Sequence, residues 1–119
     1  EKGWLYKMLP KANRIKKKKD FEDIFKKGKS LKNGFLILKM IKNSLNQSRF
    51  GFVVSQKISK KAVVRNKVKR RLRKIIGINL KNIKIGEDVI LIALSGIEKR
   101  EFSEIEDSIN KLLNKAKII

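Results

Sequence analysis

Lys57-Ile58-Ser59-Lys60-Lys61-Ala62-Val63-Val64-Arg65-Asn66-Lys67-Val68-Lys69-Arg70-Arg71-Leu72-Arg73-Lys74 is the stretch on which the reading of this chain turns. Ten of its eighteen residues are Lys or Arg and none is acidic. Val64, Val68, Leu72 and Ile75/Ile76 recur at i, i+4, i+8 and i+11/i+12, one face of a 3.6-residue period. The spacing predicts a helix over 62–76, stopped by Gly77, with Asn66, Lys69, Arg70 and Arg73 on the face opposite the apolar stripe. A helix buried on one side and cationic on the other is held rigidly by a fold while it meets a polyanion.

Outward from this helix, charge keeps one sign over a long distance. The chain of 119 residues carries 32 Lys or Arg against 11 Asp or Glu, a net charge of +21. No acid lies between Asp23 and Glu87, whereas 19 Lys/Arg fall in 24–86, and seven of the acids lie from Glu87 to Asp107. One part of the molecule is therefore expected to face a polyanion and the C-terminal part to face away from it. Nucleic acid is the first candidate partner and an anionic membrane surface the second. The apolar fraction of 41% supports one globular domain with one core. Without Cys or His there is no disulfide framework, no thiolate metal site and no imidazole base. No apolar run approaches the ~20 residues of a bilayer-spanning helix, and no secretory leader is visible, so a cytoplasmic protein without a membrane partner is expected.

Along the chain, Met8-Leu9-Pro10 resembles a natural start, and residues 1–7 are expected to be a disordered extension or a non-native remnant. Asn13-Arg14-Ile15 opens a basic lead-in. Asp20 as N-cap, with Asp23 three residues on, predicts a short helix over 20–27 that ends at Gly28. Phe35–Ile41 and Arg49–Ser55 read as strands, paired as an antiparallel hairpin across the polar loop 42–48. Phe50, Phe52 and Val54 share one face of the second strand. Gly51, on the other face, suggests a bulge or the close approach of another backbone. Val89–Leu94 is continuously apolar, as in a central strand buried on both faces. Ser103 with Glu106 forms a capping-box pattern before the stripe Ile105, Ile109, Leu112, Leu113 and Ala116 of a last helix. The order α-β-β-α-β-α makes an α+β domain, a small sheet packed by helices.

Side chains that break bonds are not apparent. Asp20/Asp23 and Glu104/Asp107 sit where helix N-termini favour carboxylates. Gly86-Glu87-Asp88 reads as a turn, and no glycine-rich phosphate loop occurs. The binding signal is stronger. Ten cations without an acid forgo every intrahelical Glu–Lys pair. Asn66, a poor helix former, brings an amide that both donates and accepts among arginines that grip phosphate bidentately.

With these residues in view, Ala62 to Arg73 resembles the signature helix of the bacterial ribonuclease P protein component, Arg-Asn-Arg followed by x-Lys-Arg-x-x-Arg. Asn13-Arg14-Ile15, Asp20-Phe21, Phe25 to Lys29, Arg49 to Ser55 and Asp88 to Ala93 agree in order and spacing, so the resemblance covers 8–119 as one RNA-binding domain. It implies an α/β sandwich with a left-handed βαβ crossover, a ribosomal-protein-like fold. It also implies that the RNA subunit is catalytic, uses magnesium bound mainly through RNA, and removes the 5′ leader of precursor tRNA. The protein would bind the catalytic RNA through Arg65, Asn66, Lys67, Lys69, Arg70 and Arg73. It would hold the leader in a cleft of Phe21, Phe25, Phe35, Leu38, Val53 and Lys57, with no catalytic or metal-binding residue of its own and no protein partner indicated. Three features depart from the family pattern. Lys67 replaces an Arg, keeping charge but losing the bidentate fork; Leu38 stands near an aromatic of some relatives; and Ser55–Ser59 lacks a glycine often found before the helix. A ribosomal protein or assembly factor that binds ribosomal RNA is the alternative. A self-sufficient nuclease is disfavoured by the missing His and carboxylate cluster.

Overall fold

Val89-Ile90-Leu91-Ile92-Ala93 is apolar throughout because the strand it forms is central and packed on both faces. The structure, a computed structural model, describes residues 9–119; the expectation for residues 1–7 lies outside them. Three α-helices and four strands follow in the order α1 (Lys18–Lys27), β1 (Lys29–Asn33), β2 (Leu36–Lys42), β3 (Arg49–Val53), α2 (Ala62–Asn79), β4 (Glu87–Ala93) and α3 (Phe102–Lys115). The single sheet is ordered β1-β2-β4-β3.

That order corrects the expected hairpin. The strands β2 and β3 do not pair: β4 lies between them, antiparallel to β2 and parallel to β3. The hairpin is instead β1–β2, turning at Gly34-Phe35, with Gly34 at φ 58°. Alternation along the strands divides the core into two layers. Leu36, Leu38, Phe50, Val89, Leu91 and Ala93 pack with α2 and α3, while Ile90 packs with Ile15 and Ile24, joined by Phe21, Ile41, Val53 and Ile92, under α1. The unit β3–α2–β4 is the parallel crossover, so the cationic helix is fixed between two adjacent strands.

Helix ends differ from expectation for local reasons. Lys17, not Asp20, is the N-cap of α1, and Asp20 sits in the first turn. Gly77 does not end α2: Ile75 and Ile76 are buried before it and Leu80 packs against the core after it, which outweighs the ~1 kcal/mol of a helical glycine. The box that opens α3 is Glu101 with Glu104, not Ser103 with Glu106. Gly51 admits an aromatic ring rather than a backbone: a Cβ there would lie 2.6 Å from the Phe21 ring.

Gly28 does end α1, but in extended conformation, φ −73° and ψ 152°. It is glycine for lack of space, since a Cβ would stand 2.5 Å from the Ile24 carbonyl oxygen and 3.0 Å from that of Met40. Gly28→Ala is expected to destabilise the protein by about 1–3 kcal/mol, because backbone must move to admit the methyl group. A denaturant titration checks this; an unchanged midpoint would show that the α1–β2 junction can yield.

Candidate nucleic-acid interface

The signature helix is built from its apolar side outward. Val68, Leu72, Ile75 and Ile76 are buried, which holds the chain at fixed rotation and sends Asn66, Lys67 and Arg70 to the exposed side. Its N-terminus is left positive. Lys61 is the N-cap without a side-chain cap, the first turn has no acid, and Lys57 and Lys60 precede it exposed. A free helix N-terminus among lysines favours an anion. Arg65 Nη1 donates to the Ser59 carbonyl oxygen at 2.9 Å, which pins the guanidinium near that terminus.

Lys69 and Arg73 are half-buried and turn toward β3, where with Arg14 they rim a groove of about 170 Å³ floored by Phe21, Gly51 and Phe52. Burial pulls the Arg73 guanidinium below its ordinary value, and its neighbours Arg14 and Arg70 push the same way. No acid lines this groove. Arg14 is itself fixed, donating from Nε to the Leu9 carbonyl oxygen at 2.6 Å, while its backbone bridges in parallel to Phe50. Three cations are thus held close together with no counter-charge, an arrangement matched to phosphate oxygens.

The acids nearby are engaged elsewhere. Asp88, 5% exposed, accepts from Arg49 Nε at 2.9 Å and Nη2 at 2.6 Å and from Asn43 Nδ2 at 2.6 Å. Asp20 reaches the same guanidinium at 3.5 Å, which ties α1 to the sheet. The Arg49 guanidinium is held above its ordinary value, chiefly by its hydrogen bond to Asp88. Glu87 is buried, which pushes its carboxyl above the usual range. Among the described residues no three acidic side chains converge, and no helix is long and apolar enough to cross a membrane.

A second surface lies beside α1. Pairing registers place Ile37 opposite Ile92 and Lys39 opposite Ile90, on the α1 side of the sheet, and Ile37, Lys39, Val53 and Ile92 remain half-buried there. Phe25 stands at the edge of this strip, 42% exposed, with Lys39 Nζ 5.8 Å from its ring centroid. Lys57 is exposed in the β3–α2 loop, and its carbonyl oxygen accepts from Ser95 Oγ. This strip joins apolar surface to cations and an aromatic ring, the chemistry of a single-stranded RNA groove.

The ribonuclease P family model matches residues 9–117. The chain belongs to the ribonuclease P protein family. It is 38% identical over 109 residues to the ribonuclease P protein component of Syntrophomonas wolfei, covering 92% of this chain and 91% of the relative. It is 40% identical over 111 residues to that of Clostridium acetobutylicum, covering 92% of each. A Staphylococcus aureus RNase P protein mutant, described as defective in mRNA degradation activity, superposes with TM-score 0.85 at 34% identity over 92% of each chain. The Thermotoga maritima RNase P protein gives 0.79 at 34% identity over 86% of this chain and 96% of that one.

In this ribonuclease P protein the residues expected to form a leader cleft divide between the sheet's two faces. Phe25 and Val53 lie on the α1 side, and Phe21 does too, its ring half-buried over Gly51. Leu38 is fully buried toward α2 and α3. Phe35 is also on that side, against Gly96 and with the Arg100 guanidinium 4.2 Å above its ring centroid. Leu38 points away from the strip beside α1 because it alternates with Ile37 and Lys39 along β2, and Phe35, in the β1–β2 turn, packs against the layer of α2 and α3. Ile37 and Lys39 are the β2 residues that face the strip beside α1. Arg14 was legible as part of a basic lead-in and of a segment that agrees with the family, but nothing in that segment predicts that the chain brings it beside Arg73.

Proposed function

We propose that this chain is the RNA-binding subunit of ribonuclease P. It docks on the catalytic RNA through α2 and its groove with Arg14, and it lays the 5′ leader of precursor tRNA along the open sheet strip beside α1. The observation that carries this reading is the cationic side of α2, fixed by burial of its other side and free of any compensating acid. Family membership supplies the class of partner. Among the described residues no three acidic side chains gather to hold the magnesium that the family resemblance implies, and Asp88 is already engaged by Arg49 and Asn43. We propose that this magnesium is held by the RNA, with no ligand from this chain.

Reconstitution tests the reading. Added to a bacterial ribonuclease P RNA at low magnesium, the protein is expected to stimulate removal of the leader from precursor tRNA. No stimulation, together with tight binding to ribosomal RNA, would favour the ribosomal alternative. Protein alone is included because a Staphylococcus aureus RNase P protein mutant is described as defective in mRNA degradation activity; cleavage by protein alone would place catalytic groups on this chain.

The cleft has its own test. Phe25→Ala is expected to weaken reconstituted binding of leader-bearing substrate by about 1–3 kcal/mol, the worth of one base–aromatic stack, and to spare a leaderless substrate. Equal loss with both substrates would assign Phe25 to packing. Phe21 is the poorer probe because its ring belongs to the layer under α1.

A further inference from the structure

The signature pattern leaves Arg71, Lys74 and Phe102 without a role, yet the fold brings them to one place. Lys67, Arg70, Arg71 and Lys74 fall at i, i+3, i+4 and i+7, a single stripe of α2, and this stripe borders a groove of about 340 Å³ whose only other lining residue is Phe102. Phe102 opens α3, so the groove is the seam between α2 and α3, separate from the groove with Arg14. The seam is held in shape: Arg71 Nη1 donates to the Arg100 carbonyl oxygen at 3.1 Å and ties the approach to α3 down onto α2. The Phe102 ring is half-buried and lines the groove together with Lys74, whose Nζ stands over it at 5.5 Å from the centroid.

A purely structural account leaves two facts unexplained. Four cations in one stripe repel one another, and no acid in the groove relieves them although α3 carries acids a turn away. Apart from the Arg71 bond to the Arg100 carbonyl oxygen, the favourable contact is ammonium on ring, and a flexible lysine is readily displaced from an aromatic face. Guanidinium and ammonium groups beside an accessible aromatic face are the complement of one nucleotide, phosphate on the cations and base on the ring. A base inside a duplex is already stacked on both faces, so only an unpaired one fits.

Resting on the reading that α2 docks on the catalytic RNA, we propose that the α2–α3 seam is a second RNA-subunit subsite that captures one unpaired nucleotide. Its base stacks on Phe102 in place of Lys74, and its phosphate is held by Lys67, Arg70 and the released Lys74. The contact surface thus wraps over α2 onto α3 instead of ending on the signature face.

Direct contact is read by fluorescence. In full-length protein carrying Trp4→Phe and Phe102→Trp, titration with ribonuclease P RNA is expected to quench the tryptophan. Retained binding without quenching overturns the proposal. Phe102→Leu, which keeps apolar packing but removes the aromatic face, is expected to weaken the same RNA about 5- to 100-fold with an unchanged salt slope. Lys74→Gln is expected to lower that slope by about 0.7–0.9. Wild-type affinity in Phe102→Leu, with binding still weakened by Arg70→Ala, overturns the subsite and leaves the docking reading standing. If Arg70→Ala also binds as wild type, the docking reading itself falls.

Discussion

Arg49→Ala is expected to melt about 10–15 °C below the parent protein. The loss corresponds to ~3 kcal/mol, the scale found when one partner of a buried ion pair is removed. Arg49 and Asp88 are register partners on the parallel strands β3 and β4, so two well-directed hydrogen bonds bridge the very strands that bracket α2. Asp88 is only 5% exposed. Without the guanidinium its charge keeps only Asn43, and its desolvation goes uncompensated. The Asp20 contact on α1 is lost with it. Asp88→Ala in the same background is expected to recover part of the loss, since the stranded charge is then gone, and the double-mutant cycle should show coupling well above that of a surface pair. Circular-dichroism melts of the four proteins measure this. A single-mutant loss below about 1 kcal/mol would put the pair among exposed salt bridges of little worth.

The triple variant Arg65→Ala, Arg70→Ala and Arg73→Ala is expected to separate binding from folding. Each guanidinium that meets a phosphate removes about 0.7–0.9 from the slope of log affinity against log salt, so the slope falls by roughly 2–3. Affinity for ribonuclease P RNA falls by about 3–6 kcal/mol, roughly 10²- to 10⁴-fold, taking 1–2 kcal/mol for each charge-assisted contact. The fold should not suffer in proportion. These side chains lie outside the packed stripe of Val68, Leu72, Ile75 and Ile76, and Arg73 in particular sits against Arg14 and Arg70 with no acid to balance it. Removing like charges from such a cluster leaves thermal stability level or raises it. Filter binding across a salt series, with a thermal melt of each protein, checks both halves. An unchanged slope would show that these arginines do not touch phosphate.

Features that rest on local periodicity were legible in the sequence. The start of α2 at Ala62, the buried stripe of α3 and the double burial of β4 each follow from the spacing of apolar residues along one segment. What escaped depends on segments far apart. The strand Lys-Ser-Leu-Lys-Asn of β1 has one apolar residue because it is an edge strand, with two lysines that discourage further pairing. The insertion of β4 between β2 and β3 leaves no local mark, which is why the loop 42–48 looked like a hairpin. Phe35 and Leu38 entered the expected cleft through the family resemblance, which assigns residues by their place along the chain. Which face a strand residue takes depends on register, and register is fixed by β4. Likewise, Phe102 reads as one more apolar residue until the chain folds back and sets it beside Lys74.

The middle strand of the sheet is also the last to be made. When a ribosome has synthesised everything through α2, β2 and β3 still lack the neighbour that joins them, because among the described residues Glu87–Ala93 alone pairs with both. The cationic helix therefore has nothing firm to rest on until about three-quarters of the chain has emerged. Its assembly is a late closure step in which β4 zips into a preformed gap and fixes all three layers together. A truncated product ending before β4 would carry nearly all of the positive charge without the geometry that directs it. Such a fragment would stick to RNA indiscriminately, so the penultimate element of the chain is what converts charge into recognition.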